Sequence, residues 1–288
     1  MTNIIHKIKD IIVHLCAAFL FPIILPFALL YWFCLSGQKW WNKWKRRMET
    51  PVIAIDRHRI GTDGNGITTL VVFHGCPLRC KYCLNPQTLR SENGNAVYYT
   101  PKKLYQEVKK DNLYFRSTNG GITFGGGEPC LHSKFIRKFR SLCGTSWRLT
   151  VETSLNVPQE HIERLLDVVD YYMVDIKDMD VDRYRQYTGG DNSKVIYNLR
   201  FLLEHGKSDK ILVRVQLIPQ YNTAVDVENS VRMLKEMGVI HFDRLTYQVP
   251  TKIGKRPLRE LTGKLQQPIN RKMNGWWSTT GLFDERTM

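Results

Sequence analysis

The stretch GCPLRCKYCLNP, from Gly75 to Pro86, sets Cys76, Cys80 and Cys83 within eight residues, at gaps of three and two. Closed structural zinc and iron-sulfur sites usually take four protein ligands, so three thiolates leave one coordination position open. The chain has seven cysteines in all. Cys16 and Cys34 fall in an apolar run, and Cys130 and Cys143 stand alone, so no second pair completes a tetrad. An odd total with one tight trio speaks against a disulfide framework and for a reducing compartment in which thiolates bind metal. One reading of the trio is a structural zinc completed by a remote His. Another is a [4Fe-4S] cube with one iron free to take the amine and carboxylate of a small ligand.

Such a loop has to be carried by something rigid. ITTLVVF (Ile67 to Phe73) reads as a strand that ends at the cysteines. Five more strands follow: GGITFGGG, WRLTVETS, YYMVDIK, KILVRVQLIP and HFDRLTYQVP, each preceded by a helical pattern. Thr100 as a cap with Pro101 at the first helical position marks one helix start, and Gly206 marks another helix end. Strands alternating with helices predict a parallel sheet with right-handed crossovers, whose ligands gather at the C-terminal strand ends. Those ends carry the cysteines, Gly125 to Glu128, Glu152 to Ser154, Asp175 to Lys177, and Gln248. Glycines at the end of the second strand would let backbone approach a ligand closely.

CPLRCKYC resembles the radical S-adenosylmethionine (SAM) motif CxxxCxxC, with Tyr82 as the aromatic residue before the last cysteine. Across roughly residues 55 to 250 the chain is similar to the glycyl radical enzyme activating enzymes, the group of pyruvate formate-lyase activating enzyme. GTDGNGITTLVVFHGCPLRCKYCLNP, GGITFGGGEP, VDIKDMD with YTGGDN, and VRVQLIPQYN carry the likeness, in order. The resemblance implies an α/β fold, a partial (β/α)6 barrel. Cys76, Cys80 and Cys83 would bind the metal of one [4Fe-4S] cluster, and SAM would be cleaved reductively to a radical that abstracts hydrogen from a glycine of a partner enzyme. It places Tyr82, Cys83 and Leu84 beside the cofactor, and Gly126, Gly127 and Glu128 at the methionine part. Glu152, Thr153, Asp175, Lys177 and Gln248 would line the ligand, Lys177 with a catalytic role. An ion pair between Glu152 and Lys177 is the structural alternative. Reduced flavodoxin or ferredoxin is the implied electron donor. Several positions depart from the group: Asn65 and Thr68 in DGNGIT, Leu84 after the last cysteine, Glu152 for Asp, and Gln248 for His. No cysteine lies between Cys83 and Gly125, which disfavours subgroups with auxiliary-cluster inserts there.

Residues Ile11 to Leu35 form an apolar run of twenty-five with His14 as its strongly polar member. That length crosses a bilayer. Trp40, Trp41 and Trp44 suit an aromatic belt, and Lys39, Lys43, Lys45, Arg46 and Arg47 place the following domain in the cytoplasm. Pro22 and Pro26 keep a re-entrant or interfacial element open as the alternative. The expected organisation is therefore an anchor over 1–47, a linker over 48–62, the SAM domain over 63–256, and a C-terminal tail over 257–288 packing on the barrel. Formal charge is +15, of which the first fifty residues supply about a third. The rest is spread without a basic run interleaved with aromatics, so no nucleic-acid partner is expected. Beside the activase reading stand a membrane-tethered radical enzyme acting on another small, lipid-linked or protein substrate, and an iron-sulfur sensor or electron-transfer protein.

Overall fold

The computed structural model of the chain describes residues 49–89 and 96–246. The expected membrane segment, Gln248 and the 257–288 tail lie outside the described residues. Among the described residues no helix is long and apolar enough to cross a membrane.

Among the described residues eight strands form a single sheet in the order β3-β1-β2-β4-β5-β6-β7-β8. They are β1 (Thr50–Ile60), β2 (Ile67–Phe73), β3 (Val97–Tyr99), β4 (Gly121–Gly126), β5 (Arg148–Thr153), β6 (Tyr171–Ile176), β7 (Ile211–Leu217) and β8 (His241–Thr246). The six expected strands are β2 and β4 to β8, all parallel to one another, while β1 and β3 add an antiparallel edge. The expected linker over 48–62 is thus corrected: most of it is β1. The charges of TPVIAIDRHRI hide a strand because they are paired, Arg57 with Asp111 and Arg59 with Asp56 and Asp63.

Seven α-helices among the described residues accompany the sheet: α1 (Pro101–Val108), α2 (Asn112–Thr118), α3 (Ser133–Cys143), α4 (Gln159–Leu165), α5 (Val181–Thr188), α6 (Ser193–Glu204) and α7 (Ala224–Glu236). Their ends follow local chemistry. The Thr100 hydroxyl accepts from Lys103 N with Pro101 inside the first turn, as expected, and Thr223 with Asp226 makes a reciprocal capping box at α7. Because β2, β4, β5, β6, β7 and β8 lie side by side in chain order, right-handed crossovers place the helices on one face. Alternation along each strand then separates two roles. Leu149 and Val151, Tyr172 and Val174, and Val213 and Val215 join the buried core shared with Ile136, Phe139, Ile162, Leu199 and Leu234. Thr150, Glu152, Asp175, Arg214 and Gln216 belong to the opposite set and form the face that the helices leave open. The turn at Asp63 and Gly64 sits against that face: Thr123 donates to the Asp63 carbonyl at 2.5 Å. A Cβ on Gly64 would stand 3.4 Å from the Thr150 hydroxyl.

Candidate active site

The cysteine loop leaves the C-terminal end of β2 and is held by backbone from three directions. Gly75 N donates to Thr88 O at 2.9 Å, Arg79 N to Thr188 O at 2.8 Å, and Lys81 N to Tyr187 O at 3.0 Å. Two of these acceptors are the last residues of α5, a helix the sequence reading passed over. VDRYRQYT has little apolar periodicity, but Asp180 caps it by accepting from Asp182 N and Arg183 N, and Gly189 ends it in the left-handed region. Arg79 stiffens the loop from within, donating to Cys76 O at 2.7 Å and Leu78 O at 3.0 Å.

The glycines of β4 are needed first of all by this loop. Gly126 has φ +89°, and a Cβ there would meet Val72 Cγ1 at 2.3 Å. A Cβ on Gly127 would lie 2.2 Å from the Gly75 carbonyl oxygen. The two segments are laced together, Gly127 N donating to Phe73 O at 3.0 Å and Glu128 N to Gly75 O at 2.7 Å. Asn85, two residues after Cys83, donates to Gly126 O at 3.4 Å. The Glu128 carboxylate is buried and wholly engaged by protein. It accepts from Cys130 N (3.1 Å), the Thr153 hydroxyl (2.6 Å), Ser154 N (2.9 Å) and the Ser154 hydroxyl (2.7 Å). Thr153 is buried beside it and also accepts from Leu155 N at 2.9 Å. Both side chains that the resemblance assigned to the cofactor therefore lock the ends of β4 and β5 together, and what Gly126, Gly127 and Glu128 can offer a ligand is main chain.

On the open face a chain of charges runs across β5, β7 and β6. Arg214 Nη1 donates to Glu152 Oε1 at 3.0 Å, and Arg214 Nε to Asp175 Oδ1 at 2.6 Å. Lys177 Nζ donates to Asp175 Oδ2 at 3.1 Å and to Gln216 Oε1 at 3.1 Å. The suggested Glu152–Lys177 pair is replaced by this relay, because the sheet register sets Asp175 opposite Arg214 on the neighbouring strand. Burial alone would push the Asp175 carboxyl up, but Arg214 and Lys177 outweigh it and hold it down at about 2. Burial pushes Glu152 up, and Arg214 offsets only part of that because Asp63 and Asp175 stand near. Burial opposes the Arg214 charge, yet the two carboxylates raise its pKa further. Arg214 and Gln216 were missed in the sequence. Their signal was present: in ILVRVQL they are polar residues two apart in an otherwise apolar strand, hence on one face.

Tyr82 donates its hydroxyl to Gln220 Oε1 at 2.7 Å, and its ring meets Tyr221 edge-on with centroids 5.5 Å apart. Leu84 is exposed. Gln248 lies outside the described residues, so the structure brings together Cys76, Cys80, Cys83, Tyr82, the Gly126–Glu128 turn, Asp175 and Lys177 without it.

The three thiols are half-buried and free of disulfides. Burial and the nearby Glu128 charge push the Cys76 thiol up to about 12, with the Cys80 and Cys83 charges adding to the rise. Burial raises Cys80 and Cys83 also, while the Lys177 ammonium favours their thiolates. Such a trio ionises when cationic iron compensates the charge, the behaviour of a cluster-binding loop. Three thiolates carried on one loop are a donor set that suits a [4Fe-4S] cluster, with one iron left to take another ligand.

Residues 70–234 match the family model of the radical SAM superfamily. The chain is 26% identical to 4-hydroxyphenylacetate decarboxylase activating enzyme of Clostridioides difficile strain 630, over 67% of this chain and 82% of that protein. It is 31% identical to pyruvate formate-lyase-activating enzyme of Clostridium pasteurianum, over 60% of this chain and 69% of that protein. Among solved structures, Streptococcus suis SuiB bound to S-adenosylmethionine aligns at 17% identity with a TM-score of 0.49, over 68% of this chain and 48% of that one.

Proposed function

Since the chain belongs to the radical SAM superfamily, in the group of glycyl radical enzyme activating enzymes, we propose that it installs a glycyl radical on a partner enzyme. The observation that carries this is the three-cysteine loop stitched by backbone hydrogen bonds to the glycine-rich end of β4, at the C-terminal edge of a parallel sheet. When bound, the [4Fe-4S] cluster supplies the electron that converts SAM to methionine and a 5′-deoxyadenosyl radical. Cys76, Cys80 and Cys83 would hold it, one thiolate to an iron. Main chain at Gly126 to Glu128 would receive the methionine amine, and Lys177, hydrogen-bonded to Asp175 and Gln216, would serve the ligand carboxylate. Asp175 and Glu152 supply negative charge toward a sulfonium, with Arg214 fixing their orientation. We read the open sheet as a partial (β/α)6 barrel and the apolar run 11–35 as a membrane segment with the folded unit in the cytoplasm. Reduced flavodoxin or ferredoxin is the donor class this chemistry asks for.

The test is electron paramagnetic resonance. The iron-loaded, reduced protein is mixed anaerobically with SAM and, in turn, pyruvate formate-lyase or 4-hydroxyphenylacetate decarboxylase as candidate acceptors. A glycyl radical doublet matched by 5′-deoxyadenosine supports the reading. 5′-Deoxyadenosine formed with no protein radical on either acceptor, while a small molecule or a third protein is consumed, would reassign the substrate.

A further inference from the structure

The charges of the folded unit are unevenly divided. Residues 101 to 144 include nine Lys and Arg against three Asp and Glu, whereas residues 159 to 240 have eleven against fourteen. Two of the three acids in the first stretch are buried and spoken for, Asp111 by Arg57 and Thr69, and Glu128 by the clasp described above. The third, Glu107, pairs with Lys110 at 2.8 Å. Helices α1 and α3 pack side by side, and with the turn after α1 they display Lys102, Lys109, Lys110, Lys134, Arg137 and Lys138, all exposed. The positive excess of the folded unit therefore lies on one stretch of helical surface, on the face opposite to the charge relay.

Two further observations say what this surface meets. The first is where the chain enters the sheet: Thr50 pairs with Tyr99, immediately before α1, and the same short strand exposes Val97 and Tyr98. Basic side chains beside an exposed apolar and aromatic pair suit the headgroup layer of a bilayer. The second is the apolar run ending at Leu35, with fourteen residues between it and Thr50. Fully extended, that connection spans at most about 50 Å, so a bilayer holding the run keeps the folded unit at a high local concentration of headgroups.

We propose that the α1–α3 face is a contact surface for anionic phospholipid, which holds the folded unit against the membrane and leaves the cysteine loop and the open sheet face free for a protein partner. The proposal builds on the membrane reading of residues 11–35. Each lysine near an anionic surface contributes roughly a fivefold gain in partition, and salt screens it within a Debye length.

The experiment uses the full-length, iron-loaded protein with vesicles of phosphatidylcholine, with or without phosphatidylglycerol. Flotation is read together with acetylation of individual lysines by mass spectrometry. Lys194 and Lys235, exposed on α6 and α7, serve as internal references. The expected result is flotation on both lipids, with acetylation of Lys102, Lys109, Lys110, Lys134 and Lys138 slowed about fivefold or more by phosphatidylglycerol. The references should be unchanged, and the protection erased by salt. The combined Lys109→Glu, Lys110→Glu, Lys134→Glu and Lys138→Glu variant should keep its iron content and circular dichroism and lose protection at Lys102. Flotation on both lipids with equal labelling overturns the face and leaves the anchor standing. Flotation on phosphatidylglycerol vesicles alone supports the face and overturns the anchor, and no flotation overturns both. Protection produced by pyruvate formate-lyase without lipid, and absent with phosphatidylglycerol, would make the face a protein-docking surface and refute the proposal.

Discussion

Replacing Arg214 with Met keeps most of the apolar stem of the side chain and removes the cation that bridges Glu152 and Asp175. Two charge-assisted hydrogen bonds disappear, at 3.0 and 2.6 Å, and two largely buried carboxylates lose their shared partner. Removing one member of a buried pair costs about 3–5 kcal/mol. The three side chains keep 15%, 20% and 23% of their exposure, so the low end, about 3 kcal/mol, is the expectation. For a domain of this size that lowers the melting temperature by roughly 6–12 °C.

The pH dependence has a defined sign. Asp175 is held at about 2 in the folded protein, below the ordinary value of about 3.9. Its stabilisation is complete above pH about 4 and lost as pH falls toward 2. Glu152 is raised, so it binds a proton more readily when folded, and the cost of its charge is relieved on acidification. Without Arg214 both carboxyls move up. The deficit of the variant should be full at neutral pH and shrink in acid, down to about pH 2, where Asp175 of the parent is itself protonated. Anaerobic thermal unfolding followed by circular dichroism measures it, and adding Asp175→Asn should restore part of the loss, a coupling of roughly 1–3 kcal/mol. A fall of less than about 2 °C, or a deficit independent of pH together with additive single and double variants, would refute the relay.

Gly127→Ala should displace the cysteine loop, because the new methyl would stand 2.2 Å from Gly75 O; iron per protein and 5′-deoxyadenosine should fall together. Gly61→Ala, at φ +66° with nothing within 4 Å, should cost about 1–2 kcal/mol and retain its iron. Glu128→Gln puts an amide NH2 where Ser154 N and its hydroxyl now donate, and urea unfolding should show a loss of about 2 kcal/mol. At Asp111 burial raises the pKa but Arg57 overrides it and the net shift is downward. Its stabilisation holds above the ordinary carboxylate value and is lost as pH falls below it. Melting curves of the parent and Arg57→Met should therefore differ at neutral pH and converge in acid.

The parallel strands were legible because runs such as ITTLVVF and ILVRVQL are short and rich in apolar and β-branched residues. β1 was not, since its Asp and Arg residues are neutralised by partners up to 54 positions away, Asp111 for Arg57. α5 was hidden by its shortness and polarity, although Asp180 and Gly189 bracket it. The cysteines announced themselves through spacing alone. Gly126 and Gly127 were read as yielding to a ligand, whereas the nearest atoms to their missing side chains belong to Val72 and Gly75. The Glu152–Lys177 pair failed because pairing depends on inter-strand register, and register is set by long-range packing that no local pattern encodes.

The most direct test is whether this chain cleaves SAM. The full-length protein, loaded with iron and sulfide under anaerobic conditions and reduced with dithionite, should convert SAM to equal amounts of methionine and 5′-deoxyadenosine. A Cys80→Ala variant of unchanged fold should produce neither. A fully loaded protein that leaves SAM intact, or a Cys80→Ala variant as active as the parent, would contradict the account.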